Sequence, residues 1–227
     1  LSKDRYDTVN KRFAICIFDY IAMRFLYIHG FASGPQSRKA RVFRDALAGR
    51  GFDVDVPALD NGDFEHLTIS GQLAVIERTL GGEPARLIGS SMGGYLAALY
   101  AASHPEVSRL VLLAPAFCFA ERWQKKIDDE FGRDNPPEYL EVFHYGAGAI
   151  RRVHYQLIED ALRYPATPDF VQPARIFHGI HDDVVPIGYS REFCAAHPNA
   201  ALTELDSDHE LLNVLDAIAE QAVPFLA

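Results

Sequence analysis

Ten residues, Ala85-Arg-Leu-Ile-Gly-Ser-Ser-Met-Gly-Gly94, restrict this chain more than any other stretch. Leu87 and Ile88 close a short apolar run of the kind that ends a buried strand. From Tyr95 onward, Tyr-Leu-Ala-Ala-Leu-Tyr-Ala-Ala is rich in strong helix formers. Between the two lies Gly89-Ser-Ser91-Met-Gly93, a match to G-x-S-x-G. A serine on a sharp strand-to-helix turn needs glycine two residues before and two after it, because the backbone passes close to itself there. The helix that follows aims its N-terminus at the turn and favours developing negative charge. At average glycine and serine usage the bare pattern arises by chance in roughly one chain in fifteen of this length. The strand before it and the helix after it carry the weight.

The flanks repeat the same rhythm. Phe25–Phe31 reads as a strand running into a glycine turn, and Ser37–Gly49 as a helix with Ala40, Phe43, Ala46 and Leu47 on one face. Phe52–Pro57 alternates like a strand, and Thr68 caps a helix over Ile69–Leu80. Val107–Ala114 is a strand after the central helix. The rhythm breaks over residues 117–172, where Glu121–Phe131 and Ile158–Tyr164 look helical and a hairpin turns about Gly146-Ala-Gly148. It resumes with a strand at Ala174–Gly179, a helix at Ile187–Ala196, a strand at Ala201–Leu205 and a closing helix predicted over His209–Ala222. Strands alternating with helices imply an α/β class, doubly wound about a mostly parallel sheet. Residues 117–172, too few to bury their own core, are predicted to be a small cap insertion. The domain is expected over residues 23–227. Residues 1–22 read as an N-terminal extension, with Met23 as the natural start and an edge strand at Phe13–Phe18 as the rival reading.

Charge removes several classes of function. The chain carries 22 Lys plus Arg against 31 Asp plus Glu, a formal net charge of −9, with no basic run. That balance disfavours nucleic acid and anionic membrane as partners. No apolar stretch reaches the length of a membrane span. Cys16, Cys118 and Cys194 are far apart and odd in number, neither a disulfide framework nor a metal-ligand spacing, which points to a reducing, cytoplasmic setting.

Acyl transfer by a serine needs a base to take the hydroxyl proton and an acid to orient that base. In open α/β sheets such groups lie just after strand ends. Downstream of Ser91, two segments qualify: His178-Gly-Ile-His-Asp182-Asp183-Val-Val-Pro186 and Asp206-Ser-Asp-His209. His178 and His181 with Asp182 and His29 also raise a metal, but no third and fourth ligand stands at metal spacing. Asp63, Glu65 and His66 read as a solvated loop, and the aromatics of the insertion as packing that lines a pocket in part.

Taken together, Ile28-His29-Gly30-Phe31, Gly89-x-Ser91-x-Gly93, His178-Gly-x-x-Asp182-x-x-Val-Pro186 and Ser207-Asp-His209 resemble the α/β-hydrolase fold. The run His29-Gly-Phe-x-Ser-x-Pro-x-Ser-x-Lys-Ala40 resembles the small YqiA-like esterases within it. The resemblance runs from Met23 to the C-terminus and is weakest in the insertion. It implies Ser91 as nucleophile, His209 as general base and Asp182 as its orienting acid. It also implies an oxyanion hole from the backbone N–H groups of Phe31 and Met92. Its motif spacing selects Asp182 over Asp183.

The function expected is hydrolysis of small-molecule carboxylic esters, short acyl chains preferred, through an acyl-enzyme on Ser91 and with no cofactor or metal. The alternatives are an acyl-CoA or other thioesterase, and a non-catalytic ligand-binding protein of the same fold.

Overall fold

A computed structural model describes residues 23–227. The predicted N-terminal extension and its rival edge strand lie outside the described residues. Among the described residues the main sheet has six strands, all pairing parallel, in the order β2-β1-β3-β4-β7-β8. They are β1 (Arg24–Ile28), β2 (Val54–Asp55), β3 (Ala85–Ser90), β4 (Val107–Leu113), β7 (Ala174–Gly179) and β8 (Ala200–Leu205). The central β3 pairs with β1 from Arg24↔Ala85 to Ile28↔Gly89, and with β4 as far as Ser90↔Leu113.

Alternate residues of these strands feed different cores, as a parallel sheet covered on both faces requires. Phe25 and Tyr27 of β1, Val111 and Leu113 of β4 and Phe177 of β7 pack with α1 (Arg38–Ala48) and α7 (Leu215–Leu226). Leu26, Ile28, Leu110, Leu112 and Ile176 point the other way. They meet α2 (Ile69–Leu80), α3 (Met92–Ser103) and α6 (Gly188–Ala196). Thr68 Oγ1 accepts the Gly71 N–H, so the predicted helix cap forms, and Ser37 Oγ accepts the Ala40 N–H as the cap of α1. α3 is buried over nearly its whole length, which suits its lack of a polar stripe.

Between β4 and β7 stand α4 (Phe119–Phe131), the antiparallel hairpin β5 (Tyr139–His144) and β6 (Ala149–His154), and α5 (Gln156–Ala161). Their buried side chains, Phe119, Ile127, Leu140, Val153 and Leu157, belong to the same cluster as α3, as does Phe117 just before α4. Polar ties hold this segment to the body. Asp160 accepts both the backbone N–H and the hydroxyl of Ser70 at 2.7 Å. The Tyr95 hydroxyl donates to Pro165 O at 2.9 Å, and the His154 N–H to Glu65 O at 2.7 Å.

Three boundaries differ from the pattern read in the sequence. β2 is only Val54–Asp55, because Pro57 has no N–H with which to extend the ladder. The central helix begins at Met92 rather than Tyr95. The last helix begins at Leu215, so His209 lies in a loop. Asp208 Oδ1 accepts the N–H groups of Glu210 and Leu211, and Leu211 has φ 57°, so the chain turns before a helix can start.

Candidate active site

Ser91 sits between β3 and α3 with φ 55° and ψ −120°, a conformation that non-glycine residues rarely adopt. The surroundings over-determine it. Its N–H donates to Leu113 O at 2.8 Å, and its own carbonyl accepts from Ala116 at 2.9 Å and Gly94 at 2.9 Å. The flanking glycines are required by space. A Cβ on Gly89 would lie 2.3 Å from Gly93 O, and one on Gly93 would lie 2.0 Å from Ile28 O.

His209 comes from the loop after β8. Its Nε2 lies 3.0 Å from Ser91 Oγ, and its Nδ1 lies 2.7 Å from Asp182 Oδ2. Asp182 follows β7, and its other oxygen accepts the N–H groups of Val184 at 2.9 Å and Val185 at 2.7 Å. Burial opposes ionisation of this carboxyl, but hydrogen bonds from His178, His209 and Val185 outweigh it and hold it well below the usual carboxylate range. An ionised carboxylate only accepts, so Nδ1 of His209 carries the proton and Nε2 is free to accept the Ser91 hydroxyl. Asp183 is exposed and no hydrogen bond joins it to His209.

The chain at Gly30 runs close beside this elbow: a Cβ there would lie 3.2 Å from Ser90 O and 3.3 Å from Ser91 Cβ. Phe31 and Met92 therefore flank Ser91, and all three line one cavity. No acceptor for the N–H of Phe31 or Met92 occurs among the described residues. Two N–H groups beside a serine hydroxyl can hold an oxyanion. His29 stays out of this: its Nδ1 lies 3.0 Å from Gly30 O, a carbonyl that must accept, and burial lowers its pKa and keeps it neutral.

The cavity has a volume of about 1290 Å³. One wall is aromatic. Phe31 stacks on Phe64 at 5.7 Å between centroids and meets Trp123 edge-on at 5.7 Å, while Phe64 meets His144 edge-on at 4.6 Å. Two of these four side chains, Trp123 and His144, come from residues 117–172, so the part of the sequence with the weakest pattern supplies half of this wall.

Sequence reasoning missed the place of His178. It is fully buried, with Nε2 3.0 Å from Asp182 Oδ2 and 2.8 Å from Val185 O, and Nδ1 2.8 Å from Ser190 Oγ. Both partners of Nε2 are acceptors, so Nε2 carries the proton and donates to them; in the neutral ring Nδ1 accepts the Ser190 hydroxyl. Its spacing of four from Asp182 was the available signal. His181 instead turns outward to Asp206 at 2.8 Å. Among the described residues no group of three or more His, Cys, Asp or Glu is placed to hold a metal ion. The Asp63–Glu65–His66 loop is exposed in part, yet Glu65 ties to Arg152 of β6 at 3.1 Å and so helps fasten the hairpin.

The profile of an uncharacterised protein family, UPF0227, matches residues 24–227. No curated protein matches the chain. Among solved structures, the chain is similar to Est1E from Butyrivibrio proteoclasticus with ferulic acid bound. The TM-score is 0.75 at 21% identity, over 89% of this chain and 87% of that one. It is also similar to the alpha/beta hydrolase domain-containing protein 10 from mouse (TM-score 0.72, 18% identity, 88% and 86% covered). The esterase domain of a Rhodothermus marinus protein matches with TM-score 0.62 at 20% identity, over 90% and 87%. At such identities the likeness is one of fold, and the fold is that of the α/β-hydrolases.

Proposed function

This chain belongs to the UPF0227 family, with the α/β-hydrolase fold, and on that footing we propose that it is a serine hydrolase of carboxylic esters. One observation carries the reading: the unbroken line from Ser91 Oγ to His209 Nε2 at 3.0 Å, and from His209 Nδ1 to Asp182 Oδ2 at 2.7 Å, at the wall of a roomy cavity. Ser91 Oγ attacks the ester carbonyl as His209 Nε2 takes its proton. The carbonyl oxygen, now negative, accepts from the N–H groups of Phe31 and Met92. Collapse breaks the bond to the leaving oxygen, which receives the proton from His209. Water then attacks the acyl-enzyme, gives its proton to His209, and the acid leaves as Ser91 Oγ is reprotonated. Asp182 holds the imidazole tautomer and stabilises the imidazolium. No step calls for a cofactor or metal.

The aromatic wall beside Phe31 suits an apolar acyl group, alkyl or aryl. The volume of about 1290 Å³ exceeds what a short acyl chain needs, so the expected short-chain preference gains no support from space. The same attack opens a thioester, and the two substrate classes share every residue named. Three scattered cysteines suit a reducing cytoplasm as the place of work. Labelling by a fluorophosphonate, followed by turnover of acyl esters and acyl-CoA of increasing chain length, tests the reading. Absence of both labelling and turnover would leave a non-catalytic ligand-binding protein.

A further inference from the structure

Two cations line the cavity without a carboxylate at hydrogen-bond distance. Lys39 rises from the first turn of α1, and its side chain is 12% exposed. Its nearest anion is Glu210, the neighbour of His209, at 3.7 Å, which is longer than a hydrogen bond; Glu210 itself is half-exposed. Arg122 rises from α4. It donates from Nη2 to Val184 O in the loop of Asp182 and lies over the Tyr189 ring at 5.7 Å. Its Nη1 is buried and meets no acceptor among the described residues. Burial draws the pKa of both groups below their usual values, against the opposite pull of Glu210, Asp182 and Asp208 on Lys39 and of Tyr189 and Asp182 on Arg122.

Buried cations are as a rule paired, because an unmatched one loses its hydration with nothing in return. Arg122 Nη1 without an acceptor, beside a Lys39 whose one ion pair, to half-exposed Glu210, spans 3.7 Å, leaves room on the wall of one cavity for an anion that arrives with the ligand. The wall as a whole is close to balanced, with Asp60, Glu130, Glu141 and Glu210 among the lining residues beside Arg38, Lys126 and Arg151, so the pull on an anion is local to Lys39 and Arg122. The positions say which part of the ligand is charged. Lys39 is bound to the His209 loop through Glu210, and Arg122 to the Asp182 loop through Val184, so the two flank the pair that protonates the leaving group. The aromatic wall centres on Phe31, with Trp123 following Arg122 in the chain.

Resting on the serine-hydrolase reading, we propose that Lys39 and Arg122 bind a negative charge on the leaving half of the substrate. The substrates are then esters or thioesters whose alcohol or thiol carries a carboxylate or a phosphate. The anion takes no part in bond making. It orients the leaving oxygen or sulfur towards His209 Nε2. A structural rival has the same two cations merely offsetting the charge of Asp182, with which both interact.

The two roles separate in one experiment. Wild type, Lys39→Met and Arg122→Gln are assayed on para-nitrophenyl butyrate and on the same ester with a ring carboxylate beside the nitro group. Wild type should favour the carboxylated ester in kcat/KM. The ratio of the two kcat/KM values should fall about tenfold or more in each variant, chiefly through KM, as loss of one charge-assisted hydrogen bond requires. Added salt should lower the ratio in wild type. An unchanged ratio with both esters slowed alike would overturn the proposal and leave the cations as supports of Asp182. Failure of wild type on both esters would bring down the hydrolase reading with it. If a variant fails to fold, inhibition of wild type decides. Benzoate or phenyl phosphate should compete with the neutral ester far better than phenol, and the stronger of the two identifies the anion. Equal, weak inhibition by all three would overturn the proposal.

Discussion

His178 and His209 share a single oxygen, Oδ2 of Asp182, at 3.0 and 2.7 Å. One atom of the carboxylate thus joins two rings, His178 in the core and His209 at the cavity. His178 touches no reacting atom and acts as a positioning residue. His178→Phe should lower kcat by about 10- to 100-fold with KM little changed, since small misplacements of a catalytic array cost rate. It should also destabilise the fold by about 1–3 kcal/mol through buried acceptors left unpaired. Steady-state kinetics on one activated ester and a thermal melt measure the two effects. A loss confined to stability would make His178 purely structural.

Ser91→Ala should abolish fluorophosphonate labelling and reduce turnover by a factor on the order of 10⁶. The fold should survive, because the backbone ties of residue 91 do not use its side chain. Ser90, which is buried in β3, should not be labelled in either protein. Labelling that persists in the variant would move the nucleophile elsewhere.

Asp182→Asn should lose roughly 10²–10⁴ of the rate, because an amide can present the wrong partner to His209 Nδ1. Asp183→Asn should lose less than about tenfold, as expected of an exposed side chain away from the imidazole. The comparison needs only one ester and both amide variants. A crippled Asp183→Asn would contradict the geometry.

The depressed pKa of Asp182 sets a limit on acid stability. In the unfolded chain the group titrates near the ordinary aspartate value of about 3.9. In the folded chain it titrates lower, so between the two values the unfolded state binds more protons. Its contribution to stability is complete above about pH 4 and is lost as the pH falls from there through the folded value. Denaturant melts of wild type and Asp182→Asn from pH 7 downward should show a gap that narrows only below about pH 4. A gap that closes near neutrality would implicate another group.

Gly93→Ala should prevent folding or cost at least about 3 kcal/mol, because the new Cβ would meet the backbone oxygen of Ile28 at 2.0 Å and a backbone cannot step aside. Gly188→Ala, with nothing within 4 Å of the new carbon, is the control that should melt like wild type.

The elbow was legible in the sequence because its chemistry is local: glycine, serine and glycine at fixed steps between a strand and a helix. The hairpin about Gly146 was legible for the same reason, and it forms as Tyr139–His144 against Ala149–His154. Contacts across the chain were not. The ring of His178 reaches a site shared with His209 only because β7 and β8 pair and bring their two loops together. Lys39 and Glu210 are far apart in the chain, and nothing in either segment announces the other. The end of the last loop was misjudged because the apolar pattern of α7 extends back to Leu211, while Asp208 turns the backbone against it.

The positive φ of Ser91 has a consequence for how this protein can change. Only glycine holds that backbone without strain, so a serine there keeps the folded state less stable than it could be. A glycine at the same place would relax the turn. Any lineage or laboratory selection that rewards persistence alone is therefore drawn towards the loss of the one hydroxyl on which the proposed chemistry depends. Continued presence of serine at this angle requires a selection that reads turnover, and a library screened for heat resistance should be filtered for activity before its survivors are trusted.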